Sequence, residues 1–309
     1  MKILFITANR LGDAVLTTGL LALMERTCQN AHITIACGPY GADLFRAIPC
    51  LDRLIIIKKR RYNLHWLDLW RECHNIKWDL VVDMRNSLVS RLLMTNQLAV
   101  HKKIEGVHKV IENAAVLGMT PAPDPFICIA PDAEKRADEI LQGAGRFIAF
   151  GPAANWAAKQ WPIENFRELA NQLLGSGGMF DGAKLLVLCD AHEKAQIDPL
   201  IAAMPKDKCI AVVGQSLQTA AACLKRAELY VGNDSGLMHL AAALDVPTLG
   251  LFGPGFPEIY GPWGKKAAYV CTDETRDELM AILENTGDAK NLMRSLTVQR
   301  ALAGVRGLF

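Results

Sequence analysis

The chain has 309 residues, 51% of them apolar and 21% charged, with a formal net charge of +2. That length exceeds one ordinary core and predicts two domains. So small a charge excludes bulk electrostatic attraction to nucleic acid, and an anionic ligand must be held locally.

The first strand, "KILFIT", gives way to a polar turn over Asn9 to Asp13, and a helix then runs through Thr27 with Asp13 in its first turn. An acid there is either favourable helix-end electrostatics or a chemical group. Next come "HITIAC", a helix from Gly41 to Ile48, "RLIIIK", a helix over Asn63 to His74, and "DLVVDM". Short, almost wholly apolar strands alternating with amphipathic helices are the pattern of successive βαβ units in a parallel sheet covered on both faces. Directly after "RLIIIK" stand Lys58, Lys59, Arg60 and Arg61, which read as a solvated charge run or as a clamp for a polyanionic acceptor.

The stretch "LGMTPAPDPFICIAP", with four prolines, cannot be helix interior and suits a connection between domains. The rhythm then restarts with "RFIAFG", a helix from Ile163 to Leu174, "KLLVLCD", a helix from Ala191 to Met204, "CIAVVG", a helix from Leu217 to Arg226, "ELYVGN", a helix from Gly236 to Leu244, and "TLGLFG". The expectation is two doubly wound α/β domains in tandem, 1–143 and 144–309, whose strand-end loops face one cleft. The last stretch, Thr275 to Phe309, is expected to be helical and to pack back on the first domain.

The nine cysteines include no C-x-x-C pair and lie mostly in apolar runs, as buried free thiols of a reducing compartment would. The run Ile3 to Ala8 is too short for a signal-peptide core, and no stretch approaches the roughly 18 apolar residues of a spanning helix. A cytoplasmic protein is expected, one still able to touch the inner face of a membrane.

Ligands of open α/β sheets sit beyond the carboxyl ends of the strands, which directs attention to the strand-end residues. In "VGNDSGLMHLAAALDVPTLGLFGP" a strand ends in Asn-Asp-Ser-Gly and a helix begins. Ser235 and Gly236 would offer a hydroxyl and backbone N–H groups to phosphate, with His239 on the same helix face. The alternative is an N-capping Asp or Ser and a core histidine. In "FGPAANWAAKQWPIENF", Lys159 stands between Trp156 and Trp161 and is either a point charge for phosphate or a solvated loop lysine. In "VLCDAHEKAQI", Glu193 follows another strand, where acids often hold ribose hydroxyls, though helix-end charge also accounts for it. The chain has no G-x-G-x-x-G after its first strand, no Walker loop, no H-E-x-x-H and no G-x-S-x-G. It also has no Asp-x-Asp pair to carry a diphosphate on a divalent metal.

Taken in order, "NRLGDAVLTTGLLALM", "KQWPIENF" and above all "GNDSGLMHLAAALDVPTLGLFGP" resemble glycosyltransferase family 9, typified by ADP-heptose:lipopolysaccharide heptosyltransferases. The resemblance covers nearly the whole chain. It implies the GT-B fold of two Rossmann-like domains, an acceptor on the first, a nucleotide-sugar donor on the second, and inverting transfer without a metal or other cofactor. Residue by residue it makes Asp13 the general base, Lys159 a donor-phosphate contact, and Asp234, Ser235 and Gly236 the loop on sugar and diphosphate, with His239 beside it. Glu193 would meet the ribose, and Lys58 to Arg61 the acidic inner core of an anionic glycolipid. The chain departs from the family pattern at Cys189 and Asp190, where glycines are usual, and at Gly255, where Thr is more common. A nucleotide-sugar epimerase or a non-catalytic nucleotide-sugar-binding protein of the same fold remains the alternative.

Overall fold

The computed structural model describes residues 1–28 and 30–309. It divides into two compact units, Met1–Ala130 and Pro131–Phe309.

The first unit contains β1 (Lys2–Ile6), α1 (Leu11–Val15), α2 (Thr18–Thr27), β2 (His32–Cys37), α3 (Ala42–Phe45), β3 (Leu51–Ile56), α4 (His65–Cys73), β4 (Trp78–Asp83), β5 (Thr95–Val100) and α5 (Lys109–Ala114). Its strands form one parallel sheet in the order β3-β2-β1-β4-β5, with Phe5 opposite both Ile35 and Val82. The central strands are apolar on both faces because helices cover both; Leu4, Ile6, Val81, Leu69 and Cys73 share one cluster. The single helix expected through Thr27 is two. Thr17 Oγ1 and Thr18 Oγ1 donate to Ala14 O and Val15 O, both at 2.8 Å, and this hydroxyl back-bonding accompanies the break between α1 and α2. The helix expected from Asn63 begins later because Tyr62 and Asn63 both have φ of +56°, outside the right-handed region. The Pro-rich connection lies over α2, where Phe126 N–H donates to Thr18 Oγ1 at 2.9 Å.

The second unit contains α6 (Pro131–Ile140), β6 (Phe147–Gly151), α7 (Ile163–Leu174), β7 (Lys184–Cys189), α8 (Lys194–Ala203), β8 (Cys209–Val213), α9 (Leu217–Leu224), β9 (Tyr230–Asn233), α10 (Gly236–Ala243), β10 (Thr248–Phe252), α11 (Pro257–Tyr260), β11 (Ala267–Cys271), α12 (Arg276–Thr286) and α13 (Val298–Arg306). Its parallel sheet runs β11-β10-β9-β6-β7-β8. Counted within the unit, that is the doubly wound order of dinucleotide-binding sheets. The division falls at 130/131 and not at 143/144, since α6 packs on α9 and Arg226 reaches Glu134 at 2.8 Å and Asp138 at 2.7 Å. The terminal helix α13 is seated on its own sheet; a Cβ added at Gly304 would stand 2.9 Å from both Leu249 and Val270.

No disulfide joins the nine cysteines. Burial pushes the Cys37 thiol up to about 12 and those of Cys73, Cys189 and Cys223 up to about 11, which keeps them protonated and inert. Among the described residues, no helix is long and apolar enough to cross a membrane.

Candidate functional site

In the second unit the strand order reverses between β6 and β9, so the loops after these strands diverge and leave a crevice at the carboxyl edge. Asn233, fully buried at the end of β9, braces the two loops. Its Nδ2 donates to Pro152 O at 2.6 Å and its Oδ1 accepts from Trp161 N–H at 3.1 Å. Trp161 is in turn fixed by its indole N–H on Leu296 O at 2.7 Å. Gln160 donates to Ala154 O at 2.8 Å and to Gln196 Oε1 at 2.9 Å. This frame presents Lys159 from a 3₁₀ turn, Ala157–Lys159, and its Nζ lies 2.5 Å from Asp234 Oδ2. The lysine side chain is 28% exposed and the aspartate 9%, so the loop lysine is neither solvated nor idle. Gly255 completes the pair's surroundings, for a Cβ there would lie 2.6 Å from Asp234 Oδ2. A glycine at 255 therefore fits the carboxylate it adjoins.

Ser235 occupies the N-cap position of α10 but makes no side-chain capping bond. Its hydroxyl is buried beside the phenol of Tyr230, in a geometry short of a full hydrogen bond for either group. Tyr230 is pushed up by burial, an effect the neighbouring Ser235 hydroxyl partly offsets. Its ring crosses the strand ends at Gly151 and Gly232, where a side chain on either would run into the phenol. Gly236 opens α10 and His239 is buried along it, so the first turn carries N–H groups that no side chain caps. That arrangement suits an anion.

Glu193 behaves differently. It closes a capping box with Asp190, its Oε2 accepting from Asp190 N–H at 3.2 Å, so the helix-end reading holds for one of its oxygens. The departures at 189 and 190 acquire local reasons: Cys189 belongs to the hydrophobic core, and Asp190 is half of that box.

In the first unit, Asp13 is half-buried in the first turn of α1. Lys58, Lys59, Arg60 and Arg61 are all exposed. Arg60 is engaged with Asp68 at 2.5 Å, and the Arg61 guanidinium lies 4.8 Å from the Tyr62 ring centroid. The structure thus brings Lys159, Asp234 and Ser235 to one strand-end locus, with Gly236 and His239 on the adjoining helix. Tyr230, Asn233 and Gln160 were not singled out by sequence reasoning; their signal is position at or beside a strand end. Arg85 and Asn9, described below, escaped it too.

Solved structures share this architecture over essentially the whole chain. A family 9 glycosyltransferase from Veillonella parvula superposes with a TM-score of 0.78 at 23% identity, covering 99% of this chain and 96% of that one. An E. coli heptosyltransferase solved with ADP gives 0.76 at 20% identity, covering 100% of both. The fold is therefore that of the GT-B glycosyltransferases. In sequence, the lipooligosaccharide heptosyltransferase 2 of Haemophilus ducreyi is 25% identical over 87% of this chain and 88% of its own length. The family model for glycosyltransferase family 9 (heptosyltransferase) matches residues 97–282, and the chain belongs to that family. It is a glycosyltransferase, which decides against the epimerase and the non-catalytic alternatives.

Proposed function

We propose that the protein transfers heptose from ADP-heptose to a lipopolysaccharide inner-core acceptor, with inversion at the anomeric carbon and without a metal ion. The acceptor hydroxyl attacks the anomeric carbon, the bond from that carbon to the β-phosphate oxygen breaks, and its electron pair leaves on ADP. Asp13 takes the hydroxyl proton as general base. Lys159, His239 and the N–H groups at the head of α10 stabilise the departing diphosphate. Glu193 meets the ribose through the oxygen outside its capping box, Asp234 meets the sugar, and Lys58 to Arg61 receive the anionic acceptor. The substrate is a glycolipid, so the enzyme works in the cytoplasm at the face of the inner membrane.

The observation that carries this reading is the Lys159–Asp234 pair beside the uncapped head of α10, at the switch point of a doubly wound sheet. Two relatives support the choice of sugar and nucleotide: one is named a lipooligosaccharide heptosyltransferase, another was solved with ADP. The test is incubation with a panel of nucleotide sugars and truncated lipopolysaccharide cores, read by mass spectrometry. One added heptose with release of ADP, an inverted anomeric centre by NMR and an unchanged rate after chelation are expected. No transfer from ADP-heptose to any core refutes the reading. Asp13→Asn should keep ADP affinity while losing about 10²-fold or more in turnover. Near-normal turnover removes Asp13 from the base role.

A further inference from the structure

The first unit has a switch point of its own, between β1 and β4, and Arg85 stands just beyond the end of β4. Its conformation is imposed from three sides. Asp83, fully buried, accepts from Arg85 N–H at 2.8 Å through Oδ1 and from Ser87 N–H and Oγ–H through Oδ2, both at 2.7 Å. That carboxylate is consumed in shaping the turn that aims Arg85 back over the sheet edge. Arg85 Nη1 donates to Asn9 Oδ1 at 2.9 Å, on the loop that leads into α1, whose first turn carries Asp13. Asn9 is itself wedged, since a Cβ on Gly38 would stand 2.6 Å from Asn9 Cα. Finally, the guanidinium lies 5.2 Å from the ring centroid of Trp66 on α4.

The resulting fork is rigid, half-buried and cationic, and it has no ion pair among the described residues. The acids along α4 have partners elsewhere, Asp68 with Arg60 and Glu72 with Arg53. His65 is held below its ordinary pKa by burial first and then by the Arg85 charge, with Lys59 adding to the same effect. A partly buried charge is costly to leave uncompensated, and a guanidinium locked on an aromatic face still offers donor edges matched to two oxygens. Chain order puts Lys58 to Arg61 immediately before α4, so the fork and the basic run belong to one part of the unit.

We propose that Arg85 is a specificity-determining residue of the acceptor site, where its guanidinium receives an oxyanion of the acceptor, a carboxylate or a phosphate. This rests on the function proposed above and adds a residue that neither the sequence motifs nor the basic run supplies. Asn9 and Trp66 act as positioning residues for the fork.

The test compares the wild-type enzyme with Arg85→Gln and Arg85→Lys on three acceptors: the native core, the same core after dephosphorylation, and the same core with its carboxyl groups esterified. Arg85→Gln should raise the acceptor KM about 10- to 100-fold on the native core, the loss of one charge-assisted contact, with kcat and donor KM within about 2-fold. On the acceptor stripped of the recognised group, wild type and variant should converge, because the wild type then loses what the variant has already lost. Which stripped acceptor shows the convergence identifies carboxylate or phosphate. Arg85→Lys should recover only part of the loss, since the charge returns without the fork. The proposal is overturned by an equal KM penalty on all three acceptors, by no penalty, or by a fall in kcat that tracks a lowered melting temperature. Should the wild type transfer to no acceptor, the functional reading fails, and the binding site is judged by itself. The enzyme saturated with ADP is titrated with inorganic phosphate and with acetate, following the Trp66 indole N–H signal. A shift in the wild type that vanishes in Arg85→Gln supports the site, and no shift with either anion rejects it.

Discussion

Replacing Lys159 by alanine separates two accounts of the residue, a strut for Asp234 or a cation for the donor diphosphate. The pair is 2.5 Å long with the aspartate 9% exposed, so losing the ammonium strands a nearly buried carboxylate. Leaving such a group unsatisfied costs about 1–3 kcal/mol, or roughly 2–10 °C in melting temperature for a unit of this size. Both accounts share that loss. Only the second adds the loss of a charge-assisted contact to phosphate, about 1.5–3 kcal/mol, which weakens ADP roughly 10- to 100-fold. Calorimetric titration with ADP, beside thermal melts of the same samples, reads the two quantities independently. Asp234→Asn sharpens the contrast, for it leaves the lysine in place and removes its internal anion. That variant should bind ADP as tightly as the wild type or more so. A Lys159→Ala protein that melts earlier yet binds ADP within about 2-fold of the wild type would make the lysine a strut and sink the phosphate assignment.

Tyr230→Phe removes a fully buried hydroxyl that lacks a hydrogen bond of good geometry, so the melting temperature should hold or rise. A fall of several degrees would mean that the phenol carries a bond with Ser235. Glu112 is buried at the start of α5; burial works to raise its pKa, but hydrogen bonds from Lys109, the Ile104 N–H at 3.0 Å and His101 at 2.8 Å bring it below the ordinary carboxylate value. A depressed folded-state pKa stabilises above the unfolded value, near 4.3, and that contribution fades as pH falls through the folded one. Urea titrations should therefore find Glu112→Gln less stable by about 1–3 kcal/mol above about pH 5, with the gap closing on acidification; a gap that widens in acid contradicts the assignment.

The central strands and α7 were legible because burial on both faces writes an unbroken apolar run and a one-sided helix writes its period; Ile163–Leu174 is the helix read from the sequence. Of the four edge strands, β3 and β8 were read but β5 and β11 were not. β5 ("TNQLAV") and β11 ("AAYVC") are half-exposed and carry no such run. Helix breaks at Thr17 and Tyr62 arise from local hydroxyl bonding and left-handed backbone, which hydrophobic periodicity does not encode. Lys159 and Asp234 stood out separately, but a contact across 75 positions of sequence belongs to the sheet order. Arg85 had no motif around it, and its meaning depends on β4 lying beside β1.

A helix-end explanation was available for both residues, an N-cap at Ser235 and favourable charge at Glu193, and the structure divides them. At Glu193 it suffices for one oxygen, because the carboxylate returns to the backbone of Asp190 and closes a reciprocal cap. At the head of α10 it fails. Asp234 turns to Lys159, Ser235 turns to Tyr230 without bonding the helix, and among the described residues no side-chain cap closes the first turn. Stability alone favours a capped helix by about 1 kcal/mol, and the serine and aspartate able to provide that cap stand at the N-cap and just before it. That unmade cap is what supports the proposed diphosphate site at the head of α10. The proposal for Arg85 in the first unit follows the same logic, since the acids of α4 are spent on other arginines.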